Sequence, residues 1–329
     1  MGNFFTATRA DYFIYDLTEE AMQYTVKEED SGKTVKTLIA ELLQPSSKML
    51  KYLKYREDGI LLNSSRVTVR ATVREGDLLT LSLLDPQGAQ SPEAVDLPLS
   101  ILYEDSDLVV PAKPGNMPTH PSRDHYRDTV ANALAYRYRN NPTPFVFRPV
   151  NRLDRETSGL LLVARNKLAA GRLTKSMQAG EIHKTYLTVL SGVCPADEGE
   201  INLPLHRSAA SIIVREVCSP DAPDAEPSRT RYRVLARRDG YAMVEAKPLT
   251  GRTHQLRVHF ASLGCPIVGD TLYGCPDPHI GRQALHARTL SFPHPSNGER
   301  MTLTAPLPDD LSNLIGALFP DLKGVFDEP

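Results

Sequence analysis

At the centre of the chain the sequence reads Asn151-Arg152-Leu153-Asp154-Arg155-Glu156-Thr157-Ser158-Gly159 and then continues into an apolar run at 160–164. The polar residues are those that turns use, and the apolar run is typical of a buried strand. Asp154 stands between two arginines, and nearby guanidinium groups favour the charged form of a carboxylate. A charged carboxylate suits a nucleophile better than a general acid. From these residues alone, Asp154 is either a catalytic nucleophile or an ordinary turn residue.

Further motifs lie on both sides of this turn. The upstream one runs from Leu102 to Gly115 and reads as a strand and a loop. The downstream ones are Lys184-Thr185-Tyr186, Thr250-Gly251-Arg252-Thr253-His254-Gln255-Leu256-Arg257-Val258-His259, Gly269-Asp270-Thr271-Leu272-Tyr273-Gly274 and Leu285-His286-Ala287. In this order they resemble, over residues 100–310, the RluA-type RNA pseudouridine synthases. The central motif of that family is His-Arg-Leu-Asp with Thr-Ser-Gly two residues on, and this chain has Asn151 at its first position.

The resemblance implies an isomerase that acts on RNA. A uridine is converted to pseudouridine: the N1–C1′ bond breaks, the uracil turns, and C5 bonds to C1′. The target base has to leave its stack before the reaction, as for other enzymes that act on bases. We therefore expect RNA as the partner, with no cofactor and no metal. The sequence agrees, because it has no dinucleotide-binding glycine loop and no Cys/His spacing typical of a zinc site.

The resemblance also implies roles for particular residues. Asp154 is the expected nucleophile, Tyr186 stacks on the base and assists proton transfer, and Arg252 holds the aspartate through two hydrogen bonds. Leu256 lines the uracil pocket, and Arg152 fills the gap left by the flipped base or grips a flanking phosphate. Taken alone, Tyr186 reads as a half-buried strand residue, Leu256 as a core leucine and Arg252 as an arginine bound to RNA phosphate.

The chain divides into four parts by composition and periodicity. Residues 1–20 read as an N-terminal extension, 21–85 as a small α+β unit, 86–96 as a polar linker and 97–329 as the catalytic domain. The order of two helices and a strand in the second part resembles the S4-like RNA-binding domain. Its second helix carries basic residues that meet RNA phosphates or else form an ordinary solvated face: Lys48, Lys51, Lys54 and Arg56.

The catalytic domain is predicted to be α+β, because short strands outnumber helices and do not alternate strictly with them. We expect strands at 107–110, 160–164, 184–190, 229–236 and 242–248, and helices at 129–139, 167–179 and 257–263. The mixed sheet is expected to be mainly antiparallel, which the resemblance also implies.

Composition is that of an ordinary globular protein. With 329 residues and a net charge of −2, the chain is long enough for two domains. It has no run of about 18 apolar residues and no signal-peptide pattern, so we expect a cytoplasmic protein without a membrane span. We also expect a monomer. Residues 123–184 carry 12 Lys and Arg against 5 Asp and Glu, which suits a face that follows RNA phosphates.

Other functions fit part of the pattern. A glycoside hydrolase would use Asp154 and Glu156 as its carboxylate pair, but the chain has no Trp and no evident aromatic platform for sugars. A catalytically inactive RNA-binding protein is another alternative, against which the set of Asp154, Tyr186 and Arg252 speaks. The S4-like resemblance favours large-subunit ribosomal RNA as substrate, and transfer RNA stays open.

Overall fold

The computed structural model describes residues 14–16 (backbone only), 21–43, 45, 47–82, 91–141, 145–192, 196–322 and 324–326. They form a five-stranded sheet, an eleven-stranded sheet and a small two-stranded hairpin. Within these ranges, no helix is long and apolar enough to cross a membrane.

The N-terminal unit packs two helices on the five-stranded sheet. Its elements are β1 (Ile14–Asp16), β2 (Ala21–Thr25), a 3-10 turn (Glu28–Asp30), α1 (Val35–Leu43), α2 (Ser47–Tyr55), β3 (Ile60–Leu62), β4 (Ser65–Arg66) and β5 (Leu78–Ser82). The strands pair antiparallel in the order β1-β2-β5-β3-β4. Because β1 lies within residues 1–20, the sheet begins inside the segment that was expected to be an extension.

Helical periodicity explains why α1 forms and which face it buries. Its apolar residues recur at helical spacing and all are buried: Val35, Leu38, Ile39, Leu42 and Leu43. They pack with side chains of α2, β2, β3 and β5 in one hydrophobic core. Leu168 of the catalytic domain packs against this core, and the Lys167 ammonium lies 3.7 Å from the ring centroid of Tyr52. The two parts of the chain therefore have separate interiors but touch through α2.

The second half of the expected linker lies against the catalytic domain. Residues 83–90 are outside the described part, and the segment that follows has no regular structure. The hydroxyl of Ser91 donates to the carbonyl of Phe145 (2.7 Å), and the amide of Val95 donates to the carbonyl of Asn132 (3.3 Å). The division of the chain at residues 86–96 stays a prediction.

The catalytic domain is built on the eleven-stranded sheet. Its strands are β6 (Ser100–Glu104), β7 (Leu108–Lys113), β8 (Arg148–Pro149), β9 (Ser158–Leu160), β10 (Val163–Ala164), β11 (His183–Ser191), β12 (Glu198–Asn202), β15 (Arg229–Arg238), β16 (Tyr241–Pro248), β17 (Leu285–Pro293) and β18 (Arg300–Thr304). The separate hairpin consists of β13 (Leu205–Arg207) and β14 (Arg215–Val217). The helices are α3 (Val130–Arg137), α4 (Lys167–Gln178), α5 (Gln255–Ser262) and α6 (Asp309–Leu318), followed by a 3-10 turn (Pro320–Leu322).

The sheet is mainly antiparallel, as predicted. Its order is β12-β15-β16-β11-β17-β9-β7-β10-β8, with β18 beside β17 and β6 beside β7. In the described chain these pairings are antiparallel, except that β9 runs parallel to β17. The prediction of an α+β catalytic domain with a mainly antiparallel mixed sheet is confirmed.

The strand predicted at 160–164 is in fact two short strands, β9 and β10. Between them, the amide of Leu162 donates to Oδ1 of Asn151 (2.7 Å) and not to a neighbouring strand. Gly159 permits the close approach of β9 to β17, because its φ is +114° and a Cβ atom there would lie 2.3 Å from the carbonyl oxygen of Ala287. The turn before β9 is thereby held against the middle of the sheet.

Candidate active site

A cleft of 410 Å³ opens where three segments of the catalytic domain meet. These are the turn that precedes β9, the first half of β11 and the stretch that joins β16 to α5. The residues that line the cleft include Arg152, Leu153, Asp154, Lys184, Tyr186, Arg252, His254, Leu256 and Arg257. The catalytic-domain residues predicted from the sequence therefore converge on one cleft, although they come from distant parts of the chain.

The turn that carries Asp154 is fixed by a buried lysine. Lys113, at the end of β7, is 1% exposed. Its Nζ donates to the carbonyl oxygens of Pro114 (2.8 Å), Met117 (2.8 Å) and Arg155 (2.9 Å). Three acceptors match the three N–H groups of an ammonium, although burial lowers the pKa of Lys113 to about 7. The backbone immediately after Asp154 is thus tied to the loop that follows β7.

Two more buried side chains fix the turn on either side of Asp154. The hydroxyl of Thr119 donates to the carbonyl of Leu153 (2.9 Å), and Nε2 of Gln283 donates to the hydroxyl of Thr157 (2.7 Å). Both are almost fully buried. Buried hydrogen bonds of this kind hold a backbone in one conformation. The position of the carboxylate is therefore set before any substrate binds.

Asn151, which replaces the family's histidine, has a structural role. It is buried, its Oδ1 accepts from the amide of Leu162 (2.7 Å), and its Nδ2 faces the carbonyl of Leu160 (3.4 Å). A carboxamide supplies an acceptor and donors in one side chain. It therefore pairs with both kinds of backbone group at the break between β9 and β10.

Asp154 meets a guanidinium and an imidazole in the cleft. Its side chain is 31% exposed, and Nη1 of Arg257 lies 3.7 Å from its Oδ2. Nε2 of His254 lies 4.0 Å from the same oxygen. These distances leave the carboxylate without a tight ion pair among the described residues. The arrangement suits a carboxylate that acts on a substrate and does not serve only as one half of an ion pair.

Arg257 is itself held rigidly by Asp270. Nε and Nη2 of the guanidinium donate to Oδ2 and Oδ1 of Asp270, both at 2.7 Å, and Asp270 is fully buried. Oδ1 of Asp270 also accepts from the amides of Leu272 (3.0 Å) and Tyr273 (3.1 Å). Burial alone would raise the pKa of the Asp270 carboxyl, but the hydrogen bonds and charge of Arg257 outweigh it and the pKa falls below its usual value. This pair fixes the guanidinium with Nη1 directed at Asp154.

The expected clamp of Arg252 on Asp154 is not found in the described structure, where Arg257 occupies that place. Arg252 is exposed, and it donates to Oε1 of Glu226 (3.3 Å) and to the carbonyl of Pro227 (3.2 Å). The reason is the position of α5: Arg252 precedes the helix and turns outwards, whereas Arg257 lies in its first turn. A direct role of Arg252 in the reaction stays a prediction.

The sequence did contain a signal for Arg257. Residues three apart on a helix share a face, and His254 at the N-cap and Arg257 lie together because α5 begins at Gln255. The expected helix at 257–263 started two residues too late, which left Arg257 at its first position and hid this relation.

His254 lines the cleft and is hydrogen-bonded to Tyr273. It adopts the left-handed conformation (φ 56°, ψ 17°) at the N-cap of α5, which is uncommon for a residue other than glycine. Its Nδ1 is hydrogen-bonded to the hydroxyl of Tyr273 (2.8 Å). Burial lowers the pKa of His254, against the opposing effect of Asp154, so the ring is neutral at neutral pH.

Tyr186 and Leu256 give the cleft its apolar surface. Both are buried and line it, from β11 and α5 respectively. Burial raises the pKa of the Tyr186 hydroxyl, and the carboxylate of Asp154 adds to the rise. The phenol is therefore protonated at neutral pH. Lys184, two residues earlier, also lines the cleft, and burial lowers the pKa of its ammonium.

The basic residues expected to meet phosphate on α2 have different surroundings. Lys51 and Lys54 are exposed. Arg56 already pairs with Asp58, with Nε–Oδ1 at 2.8 Å and Nη2–Oδ2 at 2.6 Å. The side chain of Lys48 lies outside the described residues. Contact of this helix with RNA stays a prediction, and its two exposed lysines are better placed for it than the paired arginine.

The fold and the aspartate turn define an RNA pseudouridylate synthase, and a family model of that description matches residues 107–262. An uncharacterized RNA pseudouridine synthase of Bacillus subtilis strain 168, YjbO, is 38% identical over 282 residues, which are 86% of this chain and 98% of that protein. The ribosomal large subunit pseudouridine synthase D of Xanthomonas campestris pv. campestris is 33% identical, over 93% of this chain and 95% of its own. The solved structure of human RNA pseudouridylate synthase domain containing 1 has a TM-score of 0.53 and 32% identity, covering 64% of this chain and 84% of the human one.

The chain therefore belongs to the RluA-type RNA pseudouridine synthases, as its motifs predicted, and its enzymatic class is that of an RNA uridine isomerase.

Proposed function

We propose that this enzyme isomerises uridines of large-subunit ribosomal RNA to pseudouridine, with Asp154 as the nucleophile. The observation that carries the assignment of Asp154 is its placement: a partly exposed carboxylate, fixed by its backbone, in a cleft where the nearest cation lies 3.7 Å away. The ribosomal substrate is supported by relatives named as large-subunit synthases that are 33% identical over more than nine-tenths of this chain.

The reaction needs bond exchange at one nucleoside and no net oxidation. The N1–C1′ bond breaks, the C5–C1′ bond forms, N1 gains a proton, and C5 loses one. Asp154 acts by attack at C1′, by addition to the uracil ring, or by removing a ribose proton. All three routes need an ionised carboxylate at near-attack distance. In each of them the Arg257 guanidinium, 3.7 Å from the carboxylate, is a fixed positive charge beside the reacting oxygen.

Tyr186 and Leu256 are placed to receive the uracil. A flipped base leaves the stacking of its helix and needs an apolar surface in exchange, which these two buried side chains supply. Tyr186 lines this cleft, and its hydroxyl is the group proposed to assist loss of the C5 proton. Arg152 and Arg252, both exposed at the rim, are proposed to contact the flanking RNA backbone.

The N-terminal unit is proposed to bind RNA outside the cleft, in the manner of an S4-like domain. The exposed ammonium groups of Lys51 and Lys54 on α2 support this role, because phosphate contacts position RNA without reading its sequence. The contact of α2 with α4, through Tyr52 and Lys167, would keep such a surface at a fixed distance from the cleft.

The test is to map pseudouridines in total RNA from cells with and without this protein. The lost sites are then reproduced with purified enzyme by tritium release from 5-tritiated RNA. We expect lost sites in large-subunit ribosomal RNA, restored by wild-type protein and not by Asp154→Asn. If pseudouridines were lost only from transfer RNA, transfer RNA would replace large-subunit ribosomal RNA as the proposed substrate. Unchanged pseudouridine maps, with RNA binding but no tritium release, would indicate a catalytically inactive RNA-binding protein.

A further inference from the structure

The tip of the β13–β14 hairpin exposes two large apolar side chains. Ile212 is 79% exposed and Ile213 is 58% exposed. Adjacent exposed β-branched residues have no role in a core, and exposed apolar groups of this kind mark interaction sites. The hairpin is outside the eleven-stranded sheet, so its tip is free to enter another molecule.

The tip is built to keep this shape. The amides of Ile213 and Val214 face the hydroxyl oxygen of Ser211 (3.2 and 3.3 Å). Nη1 of Arg215 folds back on the carbonyl oxygens of Ile212 (3.5 Å), Ile213 (3.2 Å) and Val214 (3.2 Å). The carbonyl groups of the tip are therefore gathered on one side and the isoleucine side chains project from it. A surface ordered in advance loses less conformational entropy when it binds.

A short chain of hydrogen bonds connects the tip to the active site. The amide of Arg215 donates to the hydroxyl of Tyr273 (2.8 Å). That hydroxyl is also bonded to Nδ1 of His254 (2.8 Å), whose Nε2 lies 4.0 Å from Asp154. Three residues of chain span at most about 11 Å. Ile212 is therefore no farther than that along the backbone from Arg215, whose partner Tyr273 is bonded to the cleft-lining His254.

The positive charge at the base of the hairpin tip suits binding to RNA phosphates. Arg207 and Arg215 lie directly opposite each other in the β13–β14 ladder, and like charges at such positions repel. The Arg215 guanidinium turns towards the carbonyl groups of the tip, and an RNA phosphate beside this face would be attracted by both arginines. The acids of the hairpin lie on its other face, where Glu216 and Asp224 surround His206. One face therefore combines an apolar tip with a cationic base.

We propose that Ile212 and Ile213 form an apolar wedge that enters the RNA beside the target uridine and holds open the gap left when the base flips. This inference rests on the proposed function. Aliphatic side chains inserted between base steps unstack them at a cost of a few kcal/mol, which bound contacts offset. The wedge is needed when the uridine is stacked and paired, and it is dispensable when the uridine is already extruded.

The experiment compares wild-type enzyme, the double variant Ile212→Ser/Ile213→Ser and the control Val325→Ser. Val325 is 61% exposed near the C-terminus, so the control removes an exposed apolar group away from the cleft. Two transcripts carry the mapped uridine, in a base-paired stem or as a bulge made by deleting its pairing partner. Because extrusion of a paired base costs a few kcal/mol, we expect the double variant to lose at least about tenfold in kcat/KM on the stem and less than about threefold on the bulge.

A second readout does not depend on chemistry. 2-Aminopurine beside the target uridine in the stem becomes brighter when it unstacks, so wild-type binding should raise its fluorescence and the double variant should not. Equal losses on stem and bulge, or equal fluorescence with both proteins, would overturn the wedge. The wedge would also be overturned if the double substitution changed only the sedimentation coefficient of the protein. The tip would then join two copies of the chain. Wild-type protein that raises the fluorescence but modifies neither RNA would instead contradict the proposed function.

Discussion

The turn around Asp154 and the basic face of α2 are both solvent-facing and charged, yet they are built in opposite ways. The turn is fixed from beneath by Lys113 and other buried polar side chains. On α2, Lys51 and Lys54 extend into solvent from an ordinary helix face. Chemistry at one atom needs a geometry fixed in advance, whereas attraction to phosphate needs only charge nearby. Changes at the turn should therefore alter turnover strongly, and changes on α2 should alter binding mildly.

The largest effect is expected for Asp154→Asn. The amide keeps the shape of the side chain and removes the nucleophile, so turnover should fall by at least about 10⁴-fold. Because the side chain is partly exposed and its Oδ2 lies 3.7 Å from the Arg257 guanidinium, the free energy of unfolding should change by less than about 0.5 kcal/mol. Tritium release and urea unfolding measure the two quantities. Turnover near the wild-type rate would remove Asp154 from the centre of the mechanism.

The second largest effect is expected for Tyr186→Phe. The ring that is proposed to contact the uracil is retained, so RNA affinity should be unchanged. Loss of the hydroxyl should lower kcat by about 10³-fold if it assists proton transfer at C5. Single-turnover rates and filter binding separate the two effects. Unaltered kcat would leave Tyr186 with a stacking role alone.

The two arginines of the Thr250–His259 segment provide a matched pair. Arg257→Lys keeps the charge but cannot reach Asp270 at two points and Asp154 at a third, so kcat should fall by about 10²-fold. Arg252→Lys loses only exposed contacts with Glu226 and Pro227 and should change kcat by less than about threefold. The pH at which each variant is assayed must be the same. A larger loss for Arg252→Lys would restore the role first inferred for that residue.

A buried histidine behind the turn should make stability depend on pH. Burial lowers the pKa of His286 to about 3, and its Nδ1 bonds to Ser158 (2.9 Å). In the unfolded chain the ring takes up a proton below about pH 6.5. The unfolded state then binds more protons, so stability is fully present above that pH and falls towards pH 3, by about 1.4 kcal/mol per pH unit at most.

The measurement is the slope of unfolding free energy against pH between 5 and 6.5. His286→Gln should flatten this slope, even if it lowers stability overall. His183→Gln, which removes an exposed histidine, should leave it unchanged. Identical slopes for His286→Gln and wild type would show that this histidine is not kept neutral by the fold.

The smallest effect is expected on α2. Lys51→Ala/Lys54→Ala should flatten the plot of log K against log salt by about 1.4 to 1.8 units, because each phosphate contact contributes about 0.7 to 0.9. Arg56→Ala is the matched control, since its guanidinium already pairs with Asp58, and its slope should stay near wild type. Both variants should keep kcat. A slope unaffected by the double change would mean that α2 does not touch phosphate.

Much of the fold followed from local pattern. The long strands near 184–190, 229–236 and 242–248 were predicted within a few residues, because periodicity and β-branched composition act locally. The pattern did not reveal β17 or α6. β17 contacts both β11 and β9, and a strand at the centre of a sheet is defined by distant partners more than by its own residues.

The sequence by itself determined the family, the α+β class and the identity of the cleft residues Asp154, Tyr186 and Leu256, because motif order and local periodicity are properties of the chain. Only the tertiary structure decided which arginine approaches the aspartate and what holds the turn in place. Arg257 reaches Asp154 because α5 begins at Gln255. Asp270, from another segment, also accepts two hydrogen bonds from the guanidinium and fixes its position. Distances between side chains remote in sequence depend on packing, and no local pattern encodes them.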